Sequence, residues 1–159
     1  MDATERLGLI EQYRAGHQTV VDALEGITEG ELDAQPGGGQ WSPRQIAHHL
    51  ADSELTSAIR LRRLLAEQRP LLAGYDEEEF ARRLHYDRPI ESSLEALRAA
   101  RLSSASLLER LTEQEWTREG THSQSGRYTV EDWLRIYTAH AHDHAAQIRR
   151  ARQGAQRNQ

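Results

Sequence analysis

The apolar residues of this chain recur at three- and four-residue intervals in four separate stretches, and nowhere alternate at period two for long enough to require a sheet. That spacing gives each stretch one apolar face as a helix, and four such faces are covered by packing against one another. The first stretch runs from Thr4 to about Ile27 on Leu7, Ile10, Val20, Val21, Leu24 and Ile27. Ser42, a good helix cap, precedes Pro43 at the first helical position of the second, which continues through Ile46, His49, Leu50, Ser53, Ser57, Leu61, Leu64 and Leu65 to about Glu67. The third spans Ile90 to Leu111 on Leu94, Leu97, Ala100, Leu102, Ser104, Leu107, Leu108 and Leu111. Thr129 opens the fourth with a capping box completed by Asp132, and Val130, Trp133, Leu134, Tyr137, Ala141, His144 and Ile148 mark its inner face to about Ala151.

The connections read as irregular. Glu29 to Gln40 holds Pro36 followed by Gly37, Gly38 and Gly39, which no regular element tolerates. Arg69 to Pro89 is long and acidic, with a short helix fitting Asp76 to Leu84, and Thr112 to Tyr128 is polar and ends in Ser125-Gly126. The expected fold class is all-α, a four-helix bundle, as a single domain over residues 1–159 with its core at about 4–152.

Charge and composition then exclude several functions. The formal net charge is -5 and the arginines are scattered, so no basic stripe is available for a phosphate backbone and nucleic acid is not an expected partner. The absence of cysteine excludes disulfides, thiolate ligands and a cysteine nucleophile. Met1 to Leu24 is charged throughout, and no run approaches a membrane span, so the expected location is cytoplasmic, without a membrane partner.

Eight histidines is a high count for 159 residues, and five fall in two clusters, His48-His49 and His140-Ala141-His142-Asp143-His144. At 100° per residue His140 and His144 lie one turn apart on the inner face of the fourth helix, whereas His142 points outward. On the second helix His49 falls on the inner stripe and His48 turns toward the flank. Three neutral imidazoles on facing helices supply three ligands and leave a position for water, whose pKa at a bound ion falls to about 7. Imidazole suits zinc, nickel, copper and iron alike. His17, His85 and His122 lack such partners and are expected on the solvated surface. Asp52, Asp143 and Gln147 are spaced to orient an imidazole, and Asp52 is the candidate general base. Trp41, Trp133 and Tyr137 read as core aromatics.

Three segments together, Trp41-Ser42-Pro43-Arg44-Gln45-Ile46-Ala47-His48-His49-Leu50-Ala51-Asp52-Ser53, Gly74-Tyr75-Asp76-Glu77 and His140-Ala141-His142-Asp143-His144-Ala145-Ala146-Gln147-Ile148, resemble the DinB-like superfamily and, within it, the YfiT-like metal-dependent hydrolases. The resemblance spans about Tyr13 to Ala151. It implies an up-down-down-up four-helix bundle, frequently a homodimer, with one divalent ion, zinc or nickel first, held by His49, His140 and His144. Some relatives place Glu at one ligand position of the last helix and use a low-molecular-weight thiol; this chain keeps histidine at all three.

The leading expectation is therefore a hydrolase that uses a three-histidine metal and its activated water on a small-molecule substrate. A thiol S-transferase is the alternative, and here the thiol must come from a cosubstrate because the chain has no cysteine. A third alternative is a non-catalytic, stress-related helical module that dimerises or binds a partner, its histidines serving the core.

Overall fold

The computed structural model describes residues 1–157 and contains seven helices and three short strands in that span. Four long helices form the bundle: α1 (Ala3–Leu24), α3 (Pro43–Ala66), α5 (Glu91–Leu108) and α7 (Val130–Arg157). Short helices α2 (Glu29–Leu32), α4 (Glu77–Arg83) and α6 (Glu113–Trp116) lie in the connections, as do strands β1 (Leu71–Leu72), β2 (Glu119–His122) and β3 (Gly126–Thr129). No helix among the described residues is long and apolar enough to cross a membrane.

Cross-helix contacts give the topology. Arg6 bonds to Glu131 and Arg152 bonds to the Ala23 carbonyl, so α1 and α7 run parallel. His48 meets Ser93 and Glu54 meets Arg101, so α3 and α5 are also parallel. Trp133 bonds to the Ser57 carbonyl while His140 lies opposite His49, which makes α3 and α7 antiparallel. The order is thus up-down-down-up. Two consecutive parallel helices require the chain to travel back along the whole bundle between them, about 27 Å for an 18-residue helix, and this is why the connection between α3 and α5 is long.

Helix ends follow the local chemistry. Ser42 and Gln45 form a reciprocal capping box with Pro43 just inside α3, and Thr129 and Asp132 do the same for α7. Gly37, Gly38 and Gly39 all take positive φ, the reason three consecutive glycines precede α3.

The small sheet departs from the sheet-free expectation. β1 pairs in parallel with β2, and β2 antiparallel with β3. The strands have two to four residues and come from two different connections, so no alternation could announce them; pairing satisfies backbone groups at the end of the bundle where α3 stops and α7 starts. Gly120 permits this closeness, since a Cβ there would lie 2.6 Å from the Pro70 carbonyl oxygen. His122, expected on the surface, is instead buried in this sheet beside Tyr128. His17 is half-buried, and His85 is exposed as expected.

Two apolar clusters fill the bundle. One, at the sheet end, includes Leu61, Leu64, Leu72, Leu108, Trp133 and Leu134; the other includes Val20, Ile46, Leu50, Leu97, Ala145 and Ile148. Arg101 and Glu54, each 1% exposed, pair at 2.6 Å where the clusters meet, and Arg101 also donates to the Tyr13 and Tyr137 carbonyls. Gly16 makes room for this guanidinium, because a Cβ would lie 2.7 Å from its Nη2. The inner face of α5 is therefore set by Ser93, Leu97, Arg101, Ser104 and Leu108, and Leu102, expected inside, is exposed. Leu7 on α1 is likewise outside. A satisfied charge at 101 takes a place that hydrophobic periodicity assigns to an apolar neighbour.

Candidate metal centre

The antiparallel crossing of α3 and α7 brings His49, His140 and His144 together, with one ring nitrogen of each lying within 4.8 Å of the other two. His49 Nε2 and His140 Nε2 stand 3.2 Å apart, and the three ring centroids are separated by 4.6 to 5.1 Å. His144 donates its Nδ1–H to Gln147 Oε1 at 2.8 Å, which leaves Nε2 as its lone-pair nitrogen. This is the orienting role expected for Gln147.

Burial decides the charge of these rings. It pushes His49 down to about 3, with the His144 charge adding to the effect, and His140 also to about 3, with His144 and His49 adding. His144 is lowered by burial as well, against the opposing effect of the hydrogen bond it donates to Gln147. All three are therefore neutral imidazoles at pH 7, the form that donates a lone pair. A neutral ring has one lone pair, and His49 Nε2 and His140 Nε2 can share only one N–H between them. The His49 Nδ1 is buried without any partner among the described residues. Two nitrogens at 2.0–2.1 Å from a tetrahedral ion stand about 3.3 Å apart, so the 3.2 Å separation already suits one divalent ion. The donor set fits the group.

The remaining predicted positions separate by environment. His142 turns to α1 and bonds through Nε2 to the Gln12 carbonyl, away from the triad. His48 is fully buried rather than on a flank: Nδ1 meets Ser93 Oγ at 2.8 Å and Nε2 meets the Arg88 carbonyl at 2.9 Å, so it ties α3 to α5 and to the long connection. Asp52 accepts a 2.7 Å hydrogen bond from the Tyr86 hydroxyl and makes no hydrogen bond to the triad. Tyr86 lies edge-on to Trp41, and Trp41 edge-on to His49 at 4.8 Å, so an aromatic layer connects Asp52 to the histidines.

Sequence reasoning missed that layer. Trp41 packs against the apolar cluster as expected and also walls the site, and Tyr86, from the long connection, packs on Trp41 and His48. Periodicity has no hold on a residue presented by a loop. The same connection carries Tyr75, whose ring lies 5.9 Å from the Arg60 guanidinium. Arg60 in turn donates to the Tyr137 hydroxyl, and Tyr137 lies edge-on to His140.

Comparison with known proteins gives a consistent picture. A protein of Oceanobacillus iheyensis named "Putative metal-dependent hydrolase OB0782" is 35% identical over 130 residues, covering 82% of this chain and 73% of its own. The Bacillus subtilis protein named "Putative metal-dependent hydrolase YfiT" is 34% identical over 128 residues, covering 79% and 72%. The solved YfiT structure, described as "a probable metal-dependent hydrolase with an unusual four-helix bundle topology", superposes with a TM-score of 0.90 at 29% identity over 95% of this chain and 87% of that one. The DinB superfamily profile matches residues 12–148, so a bundle with three converging imidazoles, these relatives and this profile agree that the chain belongs to the DinB superfamily.

Proposed function

We propose that this protein is a metal-dependent hydrolase of a small molecule, with one divalent ion held by His49, His140 and His144. The observation that carries the reading is the set of three neutral imidazoles, one buried and two half-buried, converging from facing helices, two of them already at the separation that a shared ion requires. The names of the relatives support it. When bound, such an ion supplies Lewis acidity toward a carbonyl-type group and lowers the pKa of water. Zinc and nickel both suit an all-imidazole donor set.

The chain's own residues do the rest. Gln147 fixes the tautomer of His144, and Trp41 excludes water from one side of His49. Asp52 is proposed as the general base, its carboxylate held by the Tyr86 hydroxyl. Among the described residues the donor group holds no carboxylate, so these three imidazoles would leave a bound divalent ion its full positive charge. A single domain over 1–159, a cytoplasmic location without nucleic-acid or membrane partners, and a homodimer are further parts of this proposal, the last tested by light scattering.

The test begins with metal content by mass spectrometry. About one ion per chain is expected, lost in His49→Ala, His140→Ala and His144→Ala and kept in His142→Ala. A panel of esters and amides is then assayed with and without bacillithiol, mycothiol or glutathione. Thiol-independent hydrolysis supports the proposal, strict thiol dependence replaces it with a transferase, and a chain that takes up no metal overturns both.

A further inference from the structure

Four arginines are buried among the described residues: Arg6, Arg44, Arg60 and Arg101. Three are neutralised by carboxylates, Arg6 by Glu113 and Glu131, Arg44 by Asp33 and Glu29, and Arg101 by Glu54. Arg60 is not. Its Nη1 donates to the Tyr137 hydroxyl at 2.9 Å, its Nη2 to the Ala73 carbonyl at 2.6 Å, and its buried Nε–H has no partner. Tyr75, Tyr128, Tyr137 and His122 lie near enough to feel its charge, and none of the four is an anion at pH 7. Glu77, whose charge reaches Tyr75, makes no ion pair with Arg60.

A guanidinium taken out of water without a counter-charge is unfavourable, and a bundle built only for stability would place an apolar residue or an acid here. Position gives the charge a use. His49, Ser53 and Arg60 lie at i, i+4 and i+11 on α3, hence on one stripe of the helix. One tyrosine spans the gap, since the Tyr137 hydroxyl touches Arg60 while its ring lies against His140. Tyr75 lies over the guanidinium and turns its buried hydroxyl toward Ser53. Tyr75 also borders a shallow surface depression with Gly74, Asp76, Ser123 and Gln124, and so stands between Arg60 and solvent.

From this arrangement, and resting on the hydrolase reading above, we propose that Arg60 and Tyr75 form a substrate subsite for a carboxylate, so that the hydrolysed molecule carries a carboxylate roughly one aromatic side chain's length from its scissile group. The Arg60 Nε–H can only donate and the Tyr75 hydroxyl can donate as well, so an acceptor is the partner that suits both. Nε–H and the second Nη2–H form the edge of the guanidinium fork that accepts a carboxylate through two parallel bonds. One buried positive charge matches a monoanion better than a dianionic phosphate.

The probes are the monohydroxamates of succinic and glutaric acid and the same hydroxamates with the carboxylate replaced by a carboxamide. Binding to the nickel- or zinc-loaded protein is measured by titration calorimetry. At least one carboxylate probe is expected to bind about tenfold or more tighter than its carboxamide. That preference disappears in Arg60→Met and shrinks in Tyr75→Phe, while acetohydroxamate, which has no second group to reach the subsite, still binds both variants and so certifies the fold. Equal binding of the two probe types to the native protein overturns the subsite alone. No hydroxamate binding to the metal-loaded native protein overturns the metal reading and the subsite with it.

Discussion

Gln147 accepts the Nδ1–H of His144 across one helical turn at 2.8 Å, and this one bond determines which nitrogen of the ring turns toward His49 and His140. Both residues lie on α7, so the orientation is set within a single rigid element. Replacing Gln147 by Leu frees the ring to adopt the other tautomer. Metal affinity is expected to fall about 10- to 100-fold, measured by competition with a chromophoric chelator. Gln147→Glu, which retains an acceptor, should restore most of it.

Asp52 and Tyr86 give a second prediction. If Asp52 is the base, Asp52→Asn lowers kcat by about 10²- to 10⁴-fold with metal content unchanged. Tyr86→Phe removes only the bond that holds the carboxylate, so its loss should be smaller and should be absent in the Asp52→Asn background. An Asp52→Asn enzyme of native kcat would exclude Asp52 from the chemistry.

The buried pair of Arg101 and Glu54 predicts a stability effect far from any surface. Arg101→Met leaves the Glu54 carboxylate buried without its cation, and burial then favours its protonated form, already the direction of its shift. Urea denaturation should register a loss of about 3–5 kcal/mol. The double variant Glu54→Leu with Arg101→Met should recover part of it, because no orphaned charge remains.

Acid should destabilise the metal-stripped protein through the triad. Folded His49 and His140 protonate only near pH 3, whereas the unfolded imidazoles protonate near 6.5. Between those values the unfolded state binds more protons, so stability rises with pH across the window and is lost as pH falls from about 6.5 toward 3. Each ring contributes a slope of up to about 1.4 kcal/mol per pH unit. Urea midpoints at pH 7.5, 6 and 5 should therefore fall in the native chain and fall less in a His49→Leu, His140→Leu variant; equal slopes would contradict the assignment.

The sequence by itself determined the four bundle helices and the three histidines, because both are written at helical period. His49 shares the stripe of Ile46 and Ser53, and His140 and His144 lie one turn apart beside Ala141 and Ile148. Ser42 with Gln45 and Thr129 with Asp132 mark helix starts through bonds between residues three apart, which are legible locally. Only the tertiary structure decided the rest. Tyr75 and Tyr86 reach the site from a connection whose path is set by the need to join two parallel helices, and Arg101 is admitted to the core by Glu54, 47 residues away. The sheet joins β1 to β2 across some 50 residues. Such partners meet because helices already packed bring them together, and no periodicity within one segment records a contact made by another.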